Sequence, residues 1–264
     1  MKINKTNFPI KIVTFVTYLI MIVANALATL LPINGMTTGE ISDSYPNLFA
    51  PAGITFSIWG VIYLFLFLYC MYQFGLLQGK EDFHKEKLFK KVGVLFSISS
   101  VLNTVWILTW HYGMIGLSVP IMLGILILLI LINNLTKNAD LSLKDYIFIR
   151  LPFSIYLGWI TVATIANITT YLVKIGFNGF GISEVLWTII ILLVGVVIAA
   201  LTIIRNKDVA YGLVIIWAYA GIYIKHLSDT GWNAEYSSII FTVVASILIV
   251  FVVEVYTLFK LRKS

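Results

Sequence analysis

Pro51-Ala52-Gly53-Ile54-Thr55-Phe56-Ser57-Ile58-Trp59-Gly60-Val61-Ile62-Tyr63 follows a polar loop, Pro32 to Ala50, and opens an apolar run that continues to Leu77. Pro51 suits the first turn of a helix, where its missing N–H would be unpaired in any case. Gly53 and Gly60 allow another backbone to come close, and Trp59 and Tyr63, four residues apart, share one helical face. A helix that only sat in lipid would need none of these four residues. The pattern predicts side chains arranged for contact at the start of this helix.

The rest of the chain shows what kind of protein carries this stretch. It has 264 residues, 60% of them apolar and only 11% charged, and its mean hydropathy of +0.97 lies far outside the globular range. Apolar windows recur along nearly the whole length and leave no room for a soluble domain. They are long and do not alternate, so they predict an all-α integral membrane protein rather than a barrel. The first run, Ile10 to Leu31, is too long for the core of a signal peptide and lacks a small-residue cleavage site. Cys70, the only cysteine, lies inside an apolar run and reads as a packed, inert thiol.

Eight transmembrane helices are predicted, at about 9–31, 52–77, 90–110, 114–135, 147–173, 184–204, 209–225 and 236–259. Of the 18 Lys and Arg residues, all but Lys174 and Lys225 fall on the side that holds the N-terminus. The positive-inside rule then places both termini in the cytoplasm. The net charge of +6 follows from this topology and excludes any need for a nucleic-acid partner. The lipid bilayer is the expected surroundings, and homo-oligomerisation is left open.

Loops and intramembrane polar residues show where function is expected. The turn His111-Tyr112-Gly113 is tight, whereas loop 32–51 is long and mixes polar residues with Ile33, Ile41, Tyr45, Leu48 and Phe49. Such loops are either functional lids or solvated connectors, and this one has the apolar residues to pack on the bundle mouth. No Lys, Arg, Asp or Glu lies near the membrane centre, and Glu254 is the nearest. That argues against ion coupling. Asn25, Asn103 and Asn167 all lie in the outer halves of their spans. Trp187, Trp232 and the tyrosines Tyr72, Tyr146, Tyr211 and Tyr256 fit an interfacial belt, while Trp59, Trp159 and Trp217 are too deep for one. For each amide and each deep tryptophan, helix-to-helix packing is the competing reading.

The placement of these residues resembles the TspO/MBR family, the translocator-protein or tryptophan-rich sensory protein family, also called the peripheral-type benzodiazepine receptor family. Its second helix opens Pro-Pro-Gly-x-x-Phe-x-x-x-Trp-x-x-x-Tyr, matched here by Pro51, Gly53, Phe56, Trp59 and Tyr63, with Ala52 in place of one proline. Its third-helix Leu-Asn-x-x-Trp is matched by Leu102, Asn103 and Trp106. The double aromatic that follows is reduced to Trp110 and Tyr112, and Gly116-Leu117 is similar to the opening of the fourth helix. The fifth-helix Trp followed eight residues later by Asn is matched by Trp159 and Asn167. The family's Pro-Tyr-x-x-Trp departs in that Pro152 precedes Trp159 by seven, so this helix is expected to start differently. The cholesterol-recognition pattern is not met around Tyr171 and Lys174, and cholesterol binding is not expected.

The resemblance covers roughly Lys11 to Lys174. It implies a five-helix TspO-like bundle at 1–177 and a three-helix extension at 178–264. The extension is expected to act as a lateral buttress or oligomer surface through Gly195, Ala199, Gly212 and Gly221. The resemblance further implies an outward-facing aromatic pocket, roofed by loop 32–51, for a flat hydrophobic small molecule such as a porphyrin or other tetrapyrrole. Trp59, Tyr63, Asn103, Trp106, Trp159 and Asn167 are the expected lining residues, with Pro51 and Phe56 at the mouth. No cofactor is expected beyond porphyrin or haem as ligand. His84, His111 and His226 are unpaired and not mid-membrane, so axial ligation is not expected; His111 is expected to be solvated, with contact to a ligand's propionate or ring edge at the mouth as the alternative. No metal cluster, Ser–His–Asp arrangement or phosphate-binding glycine loop is present, so no catalytic residue is assigned. Three function classes remain: a membrane receptor or sensor, which leads; a transporter of such molecules; and a porphyrin-degrading enzyme. The expected location is a bacterial plasma membrane.

Overall fold

The computed structural model describes residues 8–76 and 83–263. Among these residues eight helices are long and apolar enough to cross a membrane. Their α-helical parts are α1 (Phe8–Leu30), α2 (Ile58–Gln73, which spans together with the 3₁₀ turn Gly53–Ser57 leading into it), α3 (Phe83–His111), α4 (Ile115–Lys137), α5 (Leu151–Lys174), α6 (Glu184–Asn206), α7 (Val209–Leu227) and α8 (Ser237–Lys263). Lys2, Lys5 and Lys80, which contribute to the expected charge asymmetry, lie outside the described residues, and nothing is described of the His84 side chain.

Three helices start differently from the apolar pattern: the second opens as a 3₁₀ turn over Gly53–Ser57 that leaves Pro51 outside the helix, and two others differ for local reasons. The third is helical from Phe83, well before its apolar part, because Glu86, Lys87, Lys90 and Lys91 are good helix formers. The fifth is preceded by a short turn, Leu143–Asp145, with Ser142 and Asp145 forming a capping box. A π turn over Tyr146–Arg150 follows and runs directly into α5. Pro152 lacks an N–H and its ring would crowd the carbonyl four residues back, so a wider turn just before it relieves the conflict.

By contacts the chain forms two compact units, one comprising residues up to Thr38 and Trp59–Leu157, the other Gly39–Ile58 and Gly158 onward. In the first unit α3 packs on both α1 and α4. Gly93 lets α1 approach, since a Cβ there would stand 2.9 Å from Thr14 Oγ1, and the Thr14 hydroxyl donates to Gly93 O at 3.2 Å. The turn between α3 and α4 closes tightly: Gly113 has φ +68, and Met114 N–H donates to Thr109 O at 2.8 Å. Tyr69, Phe96 and Phe153 interlock edge to face, with centroids 4.9 to 5.9 Å apart. Charged groups are paired near the start of α1 and of α3, Lys11 with Glu86 at 2.7 Å and Lys85 with Asp145 at 2.9 Å. Cys70 is buried, as a packed thiol should be.

In the second unit α8 packs on both α6 and α7. Lys207 ends α6 in the left-handed conformation, and Asp208 begins α7 by accepting from Tyr211 N–H at 3.2 Å. Loop residues 39–58 are strapped to these helices. Ala52 N–H donates to Gly221 O at 3.0 Å, and Trp217 Nε1–H to Thr55 O at 3.0 Å. His226 Nε2 meets Leu48 O at 2.9 Å, Lys225 pairs with Asp43 at 3.0 Å, and Glu184 accepts from Leu48 N–H at 3.2 Å. Ile41, Leu48 and Phe49 are buried. The loop is therefore packed, not a solvated connector. The extension was expected to act as a buttress or oligomer surface, but α7 also holds this loop.

Candidate ligand-binding site

The first unit contains an aromatic cluster built from helical spacing. Trp59 and Tyr63, one turn apart on α2, stack with centroids 5.4 Å apart and planes 21° from parallel. Trp106 and Trp110, one turn apart on α3, do the same at 5.8 Å and 27°. Trp59 joins the two pairs, lying 6.3 Å from Trp106, and Tyr156 on α5 meets it edge-on at 5.8 Å and 65°. Trp59 and Tyr63 are half-buried, whereas Trp106 is buried.

Asn103 stands one turn before Trp106 and is fully buried. Its Oδ1 accepts from Asn25 Nδ2 at 2.7 Å, and its Nδ2 donates to the Tyr156 hydroxyl at 3.0 Å. Asn25 also donates to Met21 O at 2.9 Å. Both ends of the Asn103 amide thus serve protein partners, and the chain Asn25–Asn103–Tyr156 fixes where the Tyr156 ring stands against Trp59. Tyr63 differs. Its backbone carbonyl accepts from the Tyr18 hydroxyl at 2.9 Å, yet its own buried hydroxyl has no hydrogen-bond partner among the described residues. A buried donor left unmade costs roughly 1–3 kcal/mol and marks a place where a ligand acceptor is welcome.

The beginning of the long loop is pinned beside the α3–α4 turn. Trp110 Nε1–H donates to Thr38 O at 3.3 Å, and Asn34 Nδ2–H donates to His111 O at 3.1 Å. His111 has one ring nitrogen 3.1 Å from Thr38 Oγ1 and the other 3.0 Å from Ile33 O. The expectation that His111 is solvated is therefore overturned: it is 2% exposed. Its two ring nitrogens find loop groups at the distance that water would otherwise supply.

The remaining candidates belong to the second unit. Pro51 and Asn167 are buried and Phe56 is half-buried. Phe56 meets the buried Trp159 edge to face at 5.8 Å and 80°. The same unit holds a cavity of about 440 Å³ lined by Asn47, Leu172, Phe177, Glu184 and Trp187 among others. Trp187 is not simply a belt residue, because its Nε1–H donates to Gly179 O at 2.7 Å. Trp217 is 39% exposed and donates to the loop, so its depth in the span reflects neither a core nor a belt.

Of the eight candidate residues, Trp59, Tyr63, Asn103 and Trp106 thus fall in the first unit, and Pro51, Phe56, Trp159 and Asn167 in the second. Tyr156 was missed. Its signal was present, since Tyr156 stands three residues before Trp159 and keeps the Tyr-x-x-Trp of the expected pattern, with Ile155 for the proline. Among the described residues no three His, Cys, Asp or Glu side chains gather to hold a metal ion. What the first-unit cluster offers chemically is flat π surface with one hydroxyl beside it.

A family profile described as TSPO-like protein matches residues 11–256. It runs into α8, so the likeness extends across the three additional helices rather than ending near Lys174. No curated protein and no solved structure matches the chain.

Proposed function

The chain belongs to the TSPO-like protein family, and from that premise we propose that it is a membrane receptor or sensor for a flat hydrophobic ligand of the porphyrin or tetrapyrrole type. One observation carries this reading: Trp59 is half-buried between Tyr63 and Trp106, beside a Tyr63 hydroxyl that no described residue satisfies. A planar π-system gains stacking energy from such rings, and a polar edge of the ligand accepts from the hydroxyl. Asn103 and Trp106 complete the proposed set in this unit, while Pro51, Phe56, Trp159 and Asn167 are candidates within the other unit. Asn103 acts by holding Tyr156. In this reading residues 1–177 carry the ligand and 178–264 support them, with both termini in the cytoplasm of a bacterial cell.

Quenching of tryptophan fluorescence by added porphyrin, on purified protein in detergent or nanodiscs, tests the reading. Saturable quenching that weakens in Trp59→Ala is expected. Quenching that is identical in the two proteins would sink it. Porphyrin flux into proteoliposomes would make the protein a transporter instead, and chemical turnover of bound pigment would make it an enzyme.

A further inference from the structure

Beside the passage from α6 into α7, the second unit buries a carboxylate that no described residue satisfies. Glu254 on α8 is 3% exposed, and neither of its oxygens has a hydrogen-bond partner among the described residues. An ionised carboxylate in that position is too costly to persist alone; such groups are neutralised or take up a cation. The place is built for it. A Cβ at Gly212 on α7 would overlap Glu254 Oε1 and would stand 2.7 Å from Ile203 Cδ1, so only glycine leaves room for this side chain.

The neighbouring charges sharpen the problem instead of solving it. Asp208, the residue that caps α7, is itself buried, and its charge acts on Glu254. The other titratable groups on the packed helices do not reach Glu254. The Tyr211 hydroxyl bonds Thr161 at 3.3 Å, and that of Tyr219 donates to Leu192 O at 2.8 Å. Arg205 and Lys207 at the end of α6, and Lys260 on α8, are exposed. The Glu254 carboxylate is therefore left with a second acidic group nearby and with no described residue bonded to it.

We propose that Glu254, assisted by Asp208, binds a small monovalent cation, either a proton or an alkali-metal ion. One buried charge needs compensation, and a hard carboxylate suits either. A divalent ion is disfavoured, because no third acidic or imidazole side chain joins these two among the described residues to balance and hold a doubly charged ion. The two sources are distinguishable because the bound cation stabilises the folded protein, increasingly so as its free concentration rises above the dissociation constant. A proton-loaded site loses its stabilisation as pH rises; an alkali-loaded site gains it as NaCl or KCl replaces choline chloride at fixed pH.

The test compares melting temperature in full-length wild type and Glu254→Gln, across pH and across salts of equal ionic strength. The expected result is a wild-type melting temperature that shifts with pH, or with alkali cation, and a Glu254→Gln protein that shows neither shift. Parallel curves for the two proteins under both titrations overturn the proposal. Should Glu254→Gln not fold, the wild type decides by reaction with a hydrophobic carbodiimide, read by peptide mass. Modification of Glu254 that falls with rising pH or with added alkali cation supports the site. Absent or invariant modification refutes it.

Discussion

Trp59 holds a position that neither a lipid-facing nor a core tryptophan would occupy: half-buried, stacked on Tyr63 and close to Trp106. Replacing it with Ala is expected to weaken porphyrin binding by at least about tenfold, since aromatic contact gives ~0.5–1.5 kcal/mol beyond the area lost. Trp59→Phe should keep much of the affinity, and both are measurable by the same quenching titration. Tyr63 provides a sharper case, because its hydroxyl is unsatisfied. Tyr63→Phe removes a buried polar group that has no partner, so the empty protein is expected to melt no lower than wild type while its affinity for a carboxylated porphyrin falls. A drop in melting temperature with affinity intact would show that the hydroxyl serves the fold. Asn103 is the opposite. It is among the expected lining residues, but its amide is bonded at both ends within the protein. Asn103→Ala should therefore cost stability, roughly 1–3 kcal/mol, by leaving the Tyr156 hydroxyl unpaired.

Among the elements, α7 matters most for the loop. Gly221 gives its carbonyl to Ala52 N–H, and a Cβ on it would overlap the Thr55 side chain. Gly221→Ala is expected to force the loop away at a cost of about 1–3 kcal/mol, visible as faster proteolysis within 39–58. Unchanged cleavage in that segment would mean that the remaining anchors, Trp217, His226 and Lys225, suffice. Truncation after Gly179 removes all of these partners at once. With the loop strapped to α7, a folded truncation is expected to show faster proteolysis within 39–58, and unchanged cleavage there would show that the loop holds without α7.

At the scale of the whole molecule, the basic residues predict that loop 32–51 faces outside and the segment near 78–90 faces inside, with both termini inside. Single cysteines introduced at these places, labelled with an impermeant reagent in intact cells, measure this directly. The native Cys70 is fully buried and should give no background. Labelling of a C-terminal cysteine from outside would contradict eight spans with this orientation.

What the chain determined by itself were properties that depend on neighbours in sequence. Span number follows from apolar length, since unsatisfied backbone is intolerable in lipid. The pairs Trp59–Tyr63 and Trp106–Trp110 follow from the four-residue spacing that any helix converts into contact. The family was legible for the same reason, because its motifs are local. What only the tertiary structure decided were partners distant along the chain. Nothing in the spacing of His111 says that Thr38 and Ile33 will occupy its ring nitrogens. Nothing near Pro51 or Thr55 says that Gly221 and Trp217 will hold the loop. Nor does the position of Glu254, close to a membrane edge where a carboxylate looks harmless, reveal that Gly212 will enclose it. Burial and hydrogen bonding are set by which helices pack together, and a polar side chain has the same local signature whether its partner is water or another helix.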